Sequence, residues 1–529
     1  MKYNITETDK NMILQPIINY HYRVYITDSN GKILDLLENI SDLSGFTVDG
    51  DSNIRRTFSA TLSFPDKINV HALLNTWLTC DFILQIGIEN IRTGEIHWYD
   101  CGTYIISQPT SMFDSNNNSV TLNFADWYSK LDGTRNGKIG GAPTVIISNR
   151  DQDNNLLTIK SVLSTFVHYE AGIRKYIIED LGEFYGNQSN NPSKYLDYRV
   201  NNPDWDKLPH DLEFSVGDTI ANIITTIVEL YPNIQAYFDI YNNFCVGFIP
   251  SCEHNTIELD NDFLQQILIS DNSESVTYHI QDIYNITEVF GKVYEIDRFS
   301  EKCITSENVY ILTLTDYDKY QSYNKIAFTP ITSNNSNMKL SINSLDSIPI
   351  YYENTTTPIL SNTINANELY VVQLKFTKNG YVAYFLGQYQ PHAICVLTNN
   401  INDGYYTKQY FKDKFNCSNI ILHEEDSPFS VQRIGEILDV KSGNEFDNII
   451  SESVAEQNAI YYNKKSSSLN ETINITVKFI PWIDILTKVT YKKAHGEKIE
   501  EYLIKNITHN IINGTSTITM SKFYPLYYD

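Results

Sequence analysis

Residue types that often carry chemistry occur at several points in this sequence, and their spacing limits what each can do. Gly133-Thr134-Arg135-Asn136-Gly137-Lys138-Ile139 resembles a phosphate loop. It is one residue short between its glycines, and Ile139 stands where a hydroxyl should hold magnesium. The residues upstream do not form the buried strand such a loop needs, so a surface turn is expected. Asp49-Gly50-Asp51-Ser52-Asn53 and Asp151-Gln152-Asp153-Asn154-Asn155 offer alternating oxygen ligands. Both lack the sixth-position glycine and the closing Glu of a calcium loop. Asx turns are the expected outcome at both.

Cys245, Cys252 and His254 lie close together, but no fourth zinc ligand is spaced to match. Cys245 falls inside a strand pattern, which predicts a core thiol. His423-Glu424-Glu425-Asp426 reads as an acidic loop and lacks the second His of a zinc-protease helix. No Gly-x-Ser-x-Gly elbow occurs, and carboxylates are too numerous for an acid–base pair to be singled out by spacing. The expectation is therefore no catalytic residue, no cofactor-binding residue, no metal ligand and no enzyme.

The elements that would position such groups are mostly strands. Tyr22 to Ile26 alternates and is turned back at Asp28-Ser29-Asn30-Gly31 into Ile33 to Leu37. Arg55 to Phe64, Phe82 to Ile88, Ile96 to Trp98, Gly102 to Ser107 and Ser119 to Phe124 continue the pattern, enough for a closed barrel or sandwich. Strand alternation puts Arg55 and Arg56 on opposite faces, one paired with a carboxylate at a subunit contact and one solvated. From about residue 142 the reading is mixed. Leu156 to Tyr169 and Thr219 to Leu230 have helical spacing, the second with Ser215 to Asp218 as its capping region. A loop is expected over 186–209, and Ile234 to Ile240 with Phe244 to Ile249 reads as a hairpin through Tyr241-Asn242-Asn243. A helical stripe over 446–462 (residues 446, 449, 450, 454 and 455) precedes a second run of alternation from Ile473 to Phe523, with a hairpin at Asn513-Gly514. One helix leaning on a small antiparallel barrel or sandwich is expected there.

At 529 residues the chain is too long for one core. Its formal charge of −24 argues against binding nucleic acid through phosphates, which takes clustered cations. Seven scattered cysteines argue against a disulfide framework and for synthesis in a reducing compartment. Met1 to Lys10 has no apolar core, so no signal peptide is expected, and no run is long enough to span a membrane.

Three sets of residues carry a resemblance. Val48 to Thr57, Trp98 to Tyr104 and Leu131 to Lys138 resemble the N-terminal domain of tail proteins from phages of Gram-positive hosts. Phe479-Ile480-Pro481-Trp482-Ile483-Asp484, Tyr502 to His509 and Thr517 to Pro525 resemble the closing domain of phage tail hub proteins. Asp282 to Gly291 resembles the hub segment that opens the second barrel. In that family two similar barrels of one chain lie side by side and three chains close a ring facing the tail tube.

The resemblance implies a mainly β protein with some α. Its expected domains are an N-terminal tube-like barrel at 1–141, an α/β intermediate domain at 142–257, a second barrel with helix at 258–300 and 426–529, and an inserted β-rich peripheral domain at 301–425. It implies a homotrimeric structural hub of the virion's tail or baseplate, made in the host cytoplasm. The hub would join the tail tube protein to a spike or tip protein and other baseplate proteins, and let DNA pass without specific binding. Two rival readings compete. One is a receptor- or carbohydrate-binding tail protein using exposed Tyr381, Tyr384, Phe385 and Tyr389; the other is a tail-associated cell-wall hydrolase.

Overall fold

Alternation becomes sheet most clearly at Arg56–Ser63, where Arg56, Phe58, Ala60 and Leu62 are buried while Thr57 and Ser63 face out. The computed structural model describes residues 5–522 except 65–69, 114–117, 141–143, 154, 180–205, 209, 231–233, 249–258, 270–273, 301, 336 and 354. The protein is mainly β. Its largest sheet is nearly closed and has thirteen strands, twelve from the two ends of the chain and one, Glu274–Tyr278, from its middle. From one edge the order runs Glu274–Tyr278, Glu471–Lys478, Thr515–Lys522, Glu500–Asn510, Gly45–Asp49, Arg56–Ser63, Asn118–Ala125, Ile96–Phe113, Asp81–Glu89, Tyr20–Thr27, Ile33–Leu36. Ile40–Asp42 and Lys488–Tyr491 pair alongside this path. Register shifts at Ile83/Gln85, Ile106/Gln108 and Ile504/Asn506 insert extra residues, and such bulges sharpen the local twist.

The seam between the two ends is an antiparallel ladder in which Val48 faces Ile507 and Phe46 faces His509. Gly45 permits it, because a Cβ there would lie 1.8 Å from the His509 carbonyl oxygen. Beneath the seam lies one contiguous apolar core, holding Val24, Phe82 and Leu122 together with Ile475, Trp482 and Ile518. The N-terminal helix Glu7–Ile13, closed by a Thr6/Asp9 capping box, is tied across it: Lys478 Nζ donates to the carbonyls of Ile13 and Gln15.

The middle of the chain builds a separate core from helices Ile159–Tyr169 and Ile220–Glu229 on a three-stranded sheet. Thr158 and Thr219 cap these helices, the second one residue beyond the expected capping region. The expected hairpin is Ile234–Phe238 with Phe244–Phe248, turned through Asn242 at φ +63°. Most of the loop expected at 186–209 lies outside the described residues.

Two expectations for the later chain are corrected. Ile286–Phe290 does not open a second barrel. It is an inner strand of a four-stranded sheet, in the order Ile420–Glu424, His392–Thr398, Ile286–Phe290, Leu438–Lys441. Its first four residues are buried, the pattern of a strand covered on both faces rather than on one. The helix, Glu452–Ser466, leans on this sheet and not on the barrel, seating Ala455 and Ala459 against Val289, Ala393 and Cys395. Residues 298–388 supply a distinct eight-stranded sheet with its own core. The expected 300/301 and 425/426 boundaries therefore do not coincide with sheet boundaries, since strands at 392–398 and 420–424 belong with 286–290.

Candidate functional site

The strongest constellation in the fold is structural. Arg55 and Arg56 are 3% and 1% exposed, so neither is solvated, contrary to the sequence expectation. Arg56 Nη2 donates to both carboxylate oxygens of Asp484, at 2.7 and 2.6 Å, and Nη1 donates to the Phe238 carbonyl at 2.6 Å. Its carboxylate partner lies in the same chain. One guanidinium thus ties the strand Arg56–Ser63, the central hairpin and the C-terminal segment around Asp484 together. Burial alone would weaken the charge on Arg56, but Asp484 beside it more than offsets this and holds the cation.

Arg55 points the other way, donating to Gln235 Oε1 at 2.5 Å with its guanidinium 3.7 Å from the Tyr237 ring centroid. Burial pushes it down to about 10. Asp126 accepts the backbone N–H groups of Arg55, Arg56 and Tyr128, at 2.8, 3.1 and 3.0 Å. Burial pushes its carboxyl up to about 6, against the pull of Arg56. The arginine pair was visible in the sequence; its partners Asp126, Phe238 and Asp484 were not, because no spacing rule links them.

The motifs weighed for chemistry settle into local structure. Gly133 and Gly137 adopt φ of +89° and +95°, and the Gly137 carbonyl accepts the Ile220 N–H at 2.7 Å. A Cβ on Gly137 would lie 2.4 Å from the Leu131 carbonyl, and a 3₁₀ turn, Trp127–Lys130, precedes the segment where a phosphate loop has a strand. Asp49 and Asp151 accept the N–H groups of Asp51 and Asn155 at 3.0 and 2.8 Å, while Asn154 lies outside the described residues. Cys245 is buried, and burial pushes its thiol up to about 12; Cys252 and His254 lie outside the described residues. His423 and Glu424 end the strand Ile420–Glu424 rather than forming a loop. Among the described residues no group of three or more His, Cys, Asp or Glu side chains is placed to hold a metal ion.

The aromatic face expected of the inserted region is also corrected. Tyr384 is buried and Tyr381, Phe385 and Tyr389 are only half-exposed. The strand of the first three, Gly380–Gln388, is central in its sheet, with neighbours on both sides, and Tyr389 follows it. Tyr381 packs on Phe376 at 5.0 Å, and Phe385 on Tyr370 at 5.7 Å.

Residues 426–527 match a family described as Domain of unknown function (DUF5048). The match takes in Asp484 and the C-terminal strands of the large sheet. No curated protein matches the chain. Solved structures similar to it include a 43 kDa tail protein of prophage MuSo2 from Shewanella oneidensis, at 9% identity and TM-score 0.42, covering 96% of this chain and all of that one. A tail protein from Neisseria meningitidis MC58 follows at 8% and 0.41, covering 96% and 98%. Prophage tail protein gp18 from Listeria monocytogenes EGD-e is at 8% and 0.39, covering 94% of each chain. At these scores and identities the likeness carries no weight for what the chain does. Among the described residues no helix is long and apolar enough to cross a membrane.

Proposed function

We propose that this chain is a non-enzymatic structural component of a phage tail or baseplate, a hub whose three copies close a ring between tail tube and spike or tip. The observation that supports it is where the resembling stretches meet. Val48 to Thr57 resembles the N-terminal domain of phage tail proteins and Phe479 to Asp484 the closing domain of tail hub proteins, and Arg56 binds Asp484 across them. Two barrel halves welded by one ladder and one buried ion pair form a stiff unit suited to bearing load between rings.

Both ends of the large sheet are open edges, Ile33–Leu36 and Glu274–Tyr278, and the first exposes Ile33, Leu34 and Leu36. Unlike edges at opposite ends favour head-to-tail contacts, which close into a ring when the rotation allows. The charge of −24 suits a bore that DNA crosses without adhering. Within the chain we place the N-terminal barrel at 1–141 and the intermediate domain at 142–257. The second barrel takes its strands from 274–278 and 471–522, with 280–469 as the inserted unit.

Negative-stain imaging of the purified full chain tests the reading. Threefold rings with a central hole are the expected result. A monomer at micromolar concentration in the presence of its tube protein overturns it.

A further inference from the structure

A cavity of about 290 Å³ lies where the inserted sheet meets the N-terminus of helix Glu452–Ser466, the small end of the range for ligand sites. Glu368 on one wall is already well supplied with donors. Tyr370 Oη and Gln388 Nε2 donate to its Oε2, the second at 2.7 Å, and Asn365 Nδ2 lies 3.4 Å from Oε1. Gln388 is fixed at its other end, its Oε1 accepting the Glu452 backbone N–H at 2.6 Å. The Glu452 side-chain carboxylate, by contrast, receives no hydrogen bond among the described residues, although it lines the same cavity. The Phe385 ring supplies an apolar wall.

We propose that this cavity binds a small hydroxylated ring carrying a protonated amino group, an amino sugar. The ammonium would sit against Glu452 and Glu368, and one ring face would lie against Phe385, while Asn365 meets hydroxyls. Each part answers to something in the wall. A carboxylate half withdrawn from water beside a second carboxylate is stabilised most by a cation. Burial, and then Glu368, push Glu452 up to about 7, with His392 opposing and Glu456 adding to the rise. His392 is itself held by Glu288 at 2.8 Å. Two carboxylates without a third acidic or histidine ligand fall short of a divalent-ion site, and they exclude phosphorylated or uronate ligands by charge. The inference goes beyond the hub reading and does not depend on it.

The full chain titrated at neutral pH with glucosamine, glucose and glucuronate, followed by saturation-transfer NMR and calorimetry, tests the proposal. Glucosamine should bind saturably, about tenfold tighter than glucose, as one added charge contact allows. Glucuronate should not bind. Glu452→Gln, isosteric and half-exposed, should bring glucosamine down to the glucose level, while Glu497→Gln, exposed and outside the cavity wall, should leave it unchanged. Equal affinity for glucosamine and glucose, no saturation at millimolar concentration, or full binding by a folded Glu452→Gln protein would each overturn it.

Discussion

Arg56 and Asp484 stand 428 positions apart in the chain and form a two-pronged ion pair that joins its two ends. The pair is lopsided: the Arg56 side chain is 2% exposed and that of Asp484 29%. Removing the carboxylate strands a buried cation, whereas removing the arginine leaves a carboxylate that water can reach. Asp484→Asn is therefore expected to lower stability by about 3 kcal/mol, and Arg56→Met by less, about 1–2 kcal/mol. Urea unfolding of both variants checks this, and equal losses would contradict the asymmetry.

The seam makes a second demand. Gly45→Ala places a methyl group against the His509 carbonyl and is expected to cost about 3 kcal/mol, since backbone on both sides must move. Gly140→Ala meets open space and should be close to neutral. A thermal melt in which both variants match the unaltered protein would mean that the ladder tolerates a wider gap.

Acid should loosen the same seam. His509 is buried between Phe46 and the Ser516 hydroxyl, with ring centroids 4.2 Å apart and Nδ1 2.8 Å from Oγ. Burial pushes its imidazole down to about 3, below the ordinary 6.5. The unfolded chain therefore takes up the proton first. The contribution of a neutral His509 is full above pH 6.5 and is lost as pH falls toward 3. Denaturant midpoints should drop between about pH 7 and about pH 5, and His509→Phe should flatten that slope. An unchanged slope would place the acid sensitivity elsewhere.

The inserted unit should be removable at boundaries set by the structure. His279 N–H donates to the Asn470 carbonyl at 2.9 Å, so the two ends of the segment between them already touch. Replacing 280–469 with a short Gly/Ser bridge is expected to leave a folded, soluble barrel pair by circular dichroism and proteolysis. Excising 301–425 instead removes His392–Thr398 and Ile420–Glu424 from both sheet and helix contacts and is expected to give aggregated protein. Soluble protein from the second deletion and none from the first would restore the original boundaries.

Some of this was determined by the sequence alone. Period-two alternation marks Arg56–Ser63 and Glu471–Lys478 as strands with one buried face, and helical spacing marks Leu156 to Tyr169 and Thr219 to Leu230, because these signals act between near neighbours. The failed spacing at Gly133–Ile139 likewise foretold a turn. Alternation says which face of a strand is buried and not which strand lies beside it. So only the tertiary structure decided that Ile286–Phe290 pairs with His392–Thr398, and that Gly45–Asp49 pairs with Glu500–Asn510. Alternation put Arg55 and Arg56 on opposite faces but could not say that both faces are covered, Arg55 by the central hairpin and Arg56 by that hairpin and the segment around Asp484. Glu368 and Glu452 share a cavity for the same reason: long-range pairing brought together residues that nothing in their local sequence connects.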